Sequence, residues 1–288
     1  MWFLTAIFQA VGQAVTWVLP VSETGHSSIF HDFSGRFSGN VSELTGLVHI
    51  GIALGFIIVF YKLFIKLGAE FFMGWKELFT KKLNRKETSG LRRFMYFSFI
   101  ALIPMLFLFI PAGQKFFNVY GLLNATGYNK TLLDDGVFFA ITGLLLLFAS
   151  VQLKKRLNNK QFTLPVAIAV GFAAAVSLPI SGLSLVATVF CLSVIMGVSK
   201  KQAFRFAAVL SVPTLIVLGI SEICTCVTYV NIFAGVLAVV LSAAASFFVI
   251  KLMLWIVNNA KLQPFMYYNF SVGGLCAIIG LIEIFVRK

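Results

Sequence analysis

Eight stretches of the chain carry no charged residue: 1–22, 44–61, 94–114, 136–153, 161–199, 206–221, 223–250 and 262–282. One helical crossing of a bilayer takes about 20 apolar residues at about 1.5 Å each. The stretches 44–61, 94–114, 136–153, 206–221, 223–250 and 262–282 therefore each predict one transmembrane helix. The stretch 161–199 does not fit that length. As a single helix it would run about 58 Å, about twice the hydrocarbon thickness. Pro179 near its middle removes a backbone donor and favours a break. It is expected to fold back on itself, as two full spans or as a re-entrant pair of half-helices.

Charge supports this folding back. Lys154, Lys155, Arg156 and Lys160 precede the long stretch, and Lys200, Lys201 and Arg205 follow it. Short loops rich in Lys and Arg stay in the cytoplasm, so the stretch enters and leaves on one side. A further basic group, from Lys62 to Arg93, lies between the second and third stretches. The net charge of +13 then divides into about +15 on the cytoplasmic connections and about −2 on the outer ones. With 59% hydrophobic and only 11% charged residues, the chain cannot present a surface to water. A soluble enzyme, a disordered tail and a nucleic-acid binder are excluded as readings of the whole chain. The Lys81–Lys86 cluster reads as a topology signal in contact with anionic lipid.

The pattern also repeats. Leu19-Pro20-Val21-Ser22 and Leu178-Pro179-Ile180-Ser181 match, each after an Ala/Val-rich stretch and each before three further apolar helices. Three crossings separate the copies, so the second is inverted relative to the first. The expected fold is an all-α polytopic membrane domain over 1–288. It is an inverted-topology repeat of six transmembrane helices and two re-entrant helix pairs, with halves of about 1–153 and 161–288. By this symmetry 1–22 is itself re-entrant, with no basic residue before it to make it a signal peptide. In such repeats the site lies near mid-membrane, where broken helices meet.

The candidate chemistry sits at those breaks. Ser22-Glu23-Thr24-Gly25-His26 offers two hydroxyls, a carboxylate, a flexible glycine and an imidazole within five residues. The second break offers Ser181 and Ser184. Helix N-termini present unpaired N–H groups and a partial positive charge, which suits phosphate. Gln9 and Gln13, four apart, share a helix face and either line the site or join helices. His49 lies inside a span, where it either serves the site or bonds a neighbouring helix. His31 and Asp32 read as solvated loop. The four cysteines are too few for a disulfide scaffold, and Cys224 and Cys226 lack the companions of a metal site.

These residues resemble the bacterial undecaprenyl-diphosphate phosphatase family of the BacA type over nearly the whole chain. Leu19–His26 is similar to its Leu-Pro-(Ile/Val)-Ser-Ser-(Ser/Thr)-Gly-His. Val48-His49-Ile50-Gly51 resembles its Leu-His-Leu-Gly helix. Met196–Ser199 with Ala203–Phe206 and Ser211–Pro213 resembles a third segment, and Pro264–Tyr268 its Pro-Phe-x-Tyr-Tyr-Arg motif. The resemblance implies the six-plus-two fold. It also implies removal of the terminal phosphate of a polyprenyl diphosphate lipid at the outer face of the cytoplasmic membrane, with a divalent cation such as Mg²⁺ or Ca²⁺.

The implied site has His26 and Glu23 as acid/base or metal pair, with Glu23 the metal ligand. Gln13, Ser22, Thr24, Gly25, Ser181 and Ser184 hold the diphosphate. The expected partners are the lipid and the bilayer, with a homodimer and without nucleic acid. Among the departures from the family pattern, three remove a charged group: Trp17 replaces a glutamate, Leu183 an arginine, and Asn269 another arginine; a fourth, Glu23, stands where the family has serine and is expected to offset part of that loss. A non-catalytic polyprenyl-phosphate binder or flippase on the same scaffold is the alternative reading.

Overall fold

A computed structural model describes residues 2–34, 41–80, 90–111, 118–127, 132–155, 162–225 and 231–286. The Lys81–Lys86 cluster, Cys226, and the side chains of His31 and Asp32 lie outside the described residues.

The described chain forms α1 (Trp2–Val18), α2 (Glu23–Ser34), α3 (Val41–Val59), α4 (Tyr61–Phe79), α5 (Gly90–Phe107) and α6 (Val119–Gly127). It continues as α7 (Leu133–Lys154), α8 (Leu164–Ser177), α9 (Leu185–Ile195), α10 (Lys200–Thr225), α11 (Ile232–Asn258) and α12 (Gln263–Val286). The helices α5, α7, α10, α11 and α12 are long and apolar enough to cross a membrane, and α3 passes the same test only together with α4, from which it is bent by 87°. All six expected spans are thus present as helices. One boundary moves. The stretch 223–250 is split, because α10 runs on to Thr225 and α11 starts afresh at Ile232. Asn231 caps that new start by accepting a bond from the Phe233 amide at 2.9 Å.

The two alternatives for 161–199 are now separated. At 14 and 11 residues, α8 and α9 reach about 21 and 16 Å, each short of a crossing. They are half-helices joined through Leu178–Ser184. The pair α1 and α2 is built alike around Leu19–Ser22. Gln9 reaches Thr45 and Trp17 reaches His49, so α1 and α3 run side by side in the same direction. After the break, α2 must carry the chain back to the level where α1 began. The broken pairs also dock in corresponding ways: α1 packs on α11, and α8 packs on α5.

Residues 61–79, read from sequence as a basic connection, form a helix. Leu63, Phe64, Leu67 and Phe71 recur at helical spacing, and α4 turns 87° from α3. An apolar stripe beside basic residues, on a helix turned this sharply from its neighbour, is the composition that suits a bilayer surface. Arg92 of α5 staples α4 by donating to Glu70 at 2.8 Å and Glu77 at 2.7 Å. Elsewhere small residues let backbones touch. A Cβ on Gly46 would stand 2.6 Å from the Gly219 carbonyl oxygen, which brings α3 against α10. Gly136 and Gly273 join α7 to α12 in the same way.

Candidate functional site

The two breaks meet inside the bundle. A Cβ on Gly25 would lie 3.0 Å from the Gly182 Cα and 2.6 Å from the Phe139 ring, so only glycine fits there. Gly182 takes φ +87°, a left-handed conformation that glycine adopts freely. Its carbonyl accepts from Thr142 at 3.0 Å. The Ser22 hydroxyl donates to the Leu183 carbonyl at 3.1 Å and latches one break to the other.

Each break ends in a capped helix start. The Gly25 amide donates to Ser22 Oγ at 3.1 Å, and the Ala187 amide to Ser184 Oγ at 3.3 Å. Thr24 shares a hydrogen bond of 3.1 Å with Ser22. Between the breaks lies a cavity of about 20 Å³ lined by Trp17, Val21, Glu23, Thr24, Ser177, Leu178, Leu183, Ser184 and Leu185. That is room for about one water molecule. Buried Glu23 accepts from Ser27 at 3.3 Å.

His26 lies three residues on, along the same face of α2. Its Nδ1 donates to the Ser22 carbonyl at 2.5 Å. That fixes the proton on Nδ1 and leaves Nε2 as the basic nitrogen, which accepts from the Tyr268 hydroxyl at 2.6 Å. The Tyr268 ring stacks on the imidazole at 5.8 Å, and Phe139 meets it edge-on at 5.4 Å. The sequence pattern placed Pro264–Tyr268 among the motifs without making Tyr268 a site residue; its pairing with a position 242 residues away is a product of the fold. Asn269, next to it, is fully buried and donates to the carbonyls of Pro20 at 3.0 Å and Phe265 at 2.7 Å. It holds the first break in place from α12.

The remaining expected residues lie beside this centre. Ser181 borders a groove of about 920 Å³ between α5, α7 and α8, lined by Ile103, Phe107, Phe138, Ile168, Phe172 and Val176 among others. Asp134 and Asp135 stand at the same edge, and Ser28 donates to Asp135 at 2.7 Å. Gln13 lies a turn above the break and reaches toward Thr45, with Gln9 bonding Thr45 at 2.9 Å. His49 donates from Nδ1 to Glu222 of α10 at 2.7 Å. Neither Ser28, Asp135 nor Glu222 carries a motif that singles it out in the sequence.

Among the described residues, no three His, Cys, Asp or Glu side chains gather to hold a metal ion. Glu23 stands as a single carboxylate, so the described residues do not fit a cation cage made by protein alone.

The profile of the family described as bacitracin resistance protein BacA matches residues 6–275. The chain belongs to the BacA family. Its relatives include an undecaprenyl-diphosphatase of Alkaliphilus metalliredigens, 25% identical, with 96% of this chain and 98% of that one covered. An undecaprenyl-diphosphatase of Saccharophagus degradans is 27% identical, covering 96% and 98%. Another, from Halothermothrix orenii, is 25% identical, covering 95% and 96%. Within this BacA-family fold the three departures have definite places. Trp17 and Leu183 line the small cavity, and Asn269 ties α12 to the first break.

Proposed function

We propose that the chain is an undecaprenyl-diphosphate phosphatase, releasing the terminal phosphate of a polyprenyl diphosphate and leaving the lipid monophosphate. The observation that carries this reading is the convergence of two broken helices on one small cavity that Glu23, Thr24 and Ser184 help to line, with His26 one turn from Glu23. The groove ending at Ser181 takes the first part of the isoprenoid chain, where apolar walls replace lipid. The diphosphate then lies against the starts of α2 and α9, whose free N–H groups and partial positive charge favour an anion. These two helix starts stand in for the charge that an arginine at 183 would bring. His26, protonated at Nε2 when the lipid is bound, donates from that nitrogen to the bridging oxygen as it leaves, and the Tyr268 hydroxyl donates to a phosphate oxygen beside it. The cavity beside Glu23 holds the attacking water, and Glu23 receives its proton. A divalent cation carried in with the lipid would neutralise part of the diphosphate charge. The breaks face the outer side of the cytoplasmic membrane, consistent with the basic connections at the other side.

The test is phosphate release from undecaprenyl diphosphate by purified protein, with and without Mg²⁺ or Ca²⁺. His26→Ala is expected to cut release by about 10²- to 10⁴-fold, the usual span for an acid–base group. Equal release by both proteins would remove His26 from the chemistry. A second reading rests on Leu183, which gives the phosphate no side-chain charge. Lipid-phosphate binding by the unaltered chain without any release would favour that reading, a binder or flippase on this scaffold.

A further inference from the structure

Apart from the two breaks, the bundle contains a second buried polar group. His49 is only 2% exposed, in a helix whose other residues from Gly46 to Val59 are apolar or glycine. The glycine contact explains how it meets its partner. Gly46 touches Gly219, and one turn further along each helix stand His49 and Glu222, bonded at 2.7 Å. Glu222 is 23% exposed, so the pair joins the interior to the edge of the bundle. On the inner side, the Trp17 ring lies 5.3 Å from the imidazole and also walls the cavity that holds Glu23. Glu23 is close enough to interact electrostatically with both His49 and Glu222.

A pair serving only to join helices would leave no loose ends. Here three buried atoms have no protein partner: His49 Nε2, Trp17 Nε1 and Gln13 Oε1. Such atoms are costly to bury unmatched. They lie on facing sides of α1 and α3, two of them one turn apart on α1, and offer a donor and acceptors to one bridging water. The bond to Glu222 keeps a proton on Nδ1, so Nε2, which has no protein partner, carries a lone pair. The other groups around the pair are few. Tyr120 of α6 lies within electrostatic reach of Glu222 and Glu23, and Ser242 and Ser246 of α11 lie against Gly51 and Gly55 of α3.

We propose that His49 and Glu222 form the exit path for the proton released by hydrolysis, running from Glu23 to the outer surface. This rests on the phosphatase reading and orientation given above. In the step, a water oxygen bonds to the terminal phosphorus as the bridging P–O bond breaks. The electron pair of that bond leaves with the lipid monophosphate, and the water's proton goes to Glu23. To reset Glu23, a proton passes through a water to His49 Nε2 while the Nδ1 proton moves to Glu222, which releases it to solvent; the imidazole then turns over so that its protonated nitrogen again faces Glu222. No oxidant, reductant or further reactant is needed. His49 and Glu222 touch neither phosphate nor attacking water, and act as positioning and relay residues.

The experiment compares the unaltered chain with His49→Gln and Glu222→Gln, measuring phosphate release against pH and lipid concentration. Glutamine keeps an amide donor for Glu222 and so retains a helix-joining bond, but it cannot relay a proton. The expected result is a fall in kcat of about 10- to 100-fold in either variant. KM should stay within about twofold, the pH–rate profile should change shape, and Glu222→Asp should restore part of the rate. Unaltered kcat and pH profile in both glutamine variants, with the unaltered chain active, would overturn the path and leave the phosphatase reading standing. A fall in kcat that follows lost thermal stability, with the profile unchanged, would likewise reduce the pair to a structural bond. No release by the unaltered chain would overturn both.

Discussion

The two breaks share a four-residue core and a helix cap, yet differ in what surrounds them. The first is followed by Glu23, Thr24 and His26, each with a polar partner. The second is followed by Gly182 and Leu183, whose carbonyls accept bonds from Thr142 and Ser22. In the proposed reading one break holds the reactive side chains. The other supplies shape: a left-handed turn, a capped helix and an apolar wall. An inverted repeat therefore need not divide its chemistry evenly, because two structurally equivalent tips can specialise once they are latched together.

The largest expected effect separates the breaks outright. His26→Ala in the first should lose about 10²- to 10⁴-fold in phosphate release while keeping thermal stability close to that of the unaltered chain. Gly182→Ala in the second should do the reverse. Its φ of +87° and a Cβ only 2.7 Å from the Asp135 carbonyl oxygen cost about 1–3 kcal/mol from conformation alone, read as a lowered unfolding temperature in detergent. Unchanged stability there would show that the second tip is not the rigid half.

A smaller effect would blur the contrast. Leu183→Arg gives the second break a charge facing the cavity, and a charge-assisted bond to phosphate should lower KM for the lipid by about tenfold, or about 1.4 kcal/mol. A KM that stays put would mean that the two helix starts already hold the anion. The smallest is Ser184→Ala. It removes one cap and should cost about 1 kcal/mol of stability, with release per folded molecule within about twofold.

Much of this architecture is legible in the sequence because a bilayer imposes length and polarity on each segment. The six spans, the folding back of 161–199 and the break at Pro20 all follow from that constraint. So does His26, which sits a few residues beyond its break. The helix over 61–79 was hidden by its lysines, which mark a cytoplasmic connection whether or not that connection is helical. What the chain order does not carry is pairing across it. His26 with Tyr268, Ser28 with Asp135, and His49 with Glu222 join residues 242, 107 and 173 apart. Each depends on which helix face meets which. Nor does a serine's type say whether it will cap a helix, hold a phosphate or do both; Ser22 is a cap and a latch at once.

The small cavity between the breaks has a consequence for acceptor choice. With a volume of about 20 Å³ beside Glu23, it fits a water more easily than glycerol or a sugar. A phosphatase whose nucleophile pocket is this tight discriminates by size before chemistry begins. In mixed alcohol–water solutions the chain should yield free phosphate and no phosphate esters, so its lipid product is committed to hydrolysis rather than group transfer.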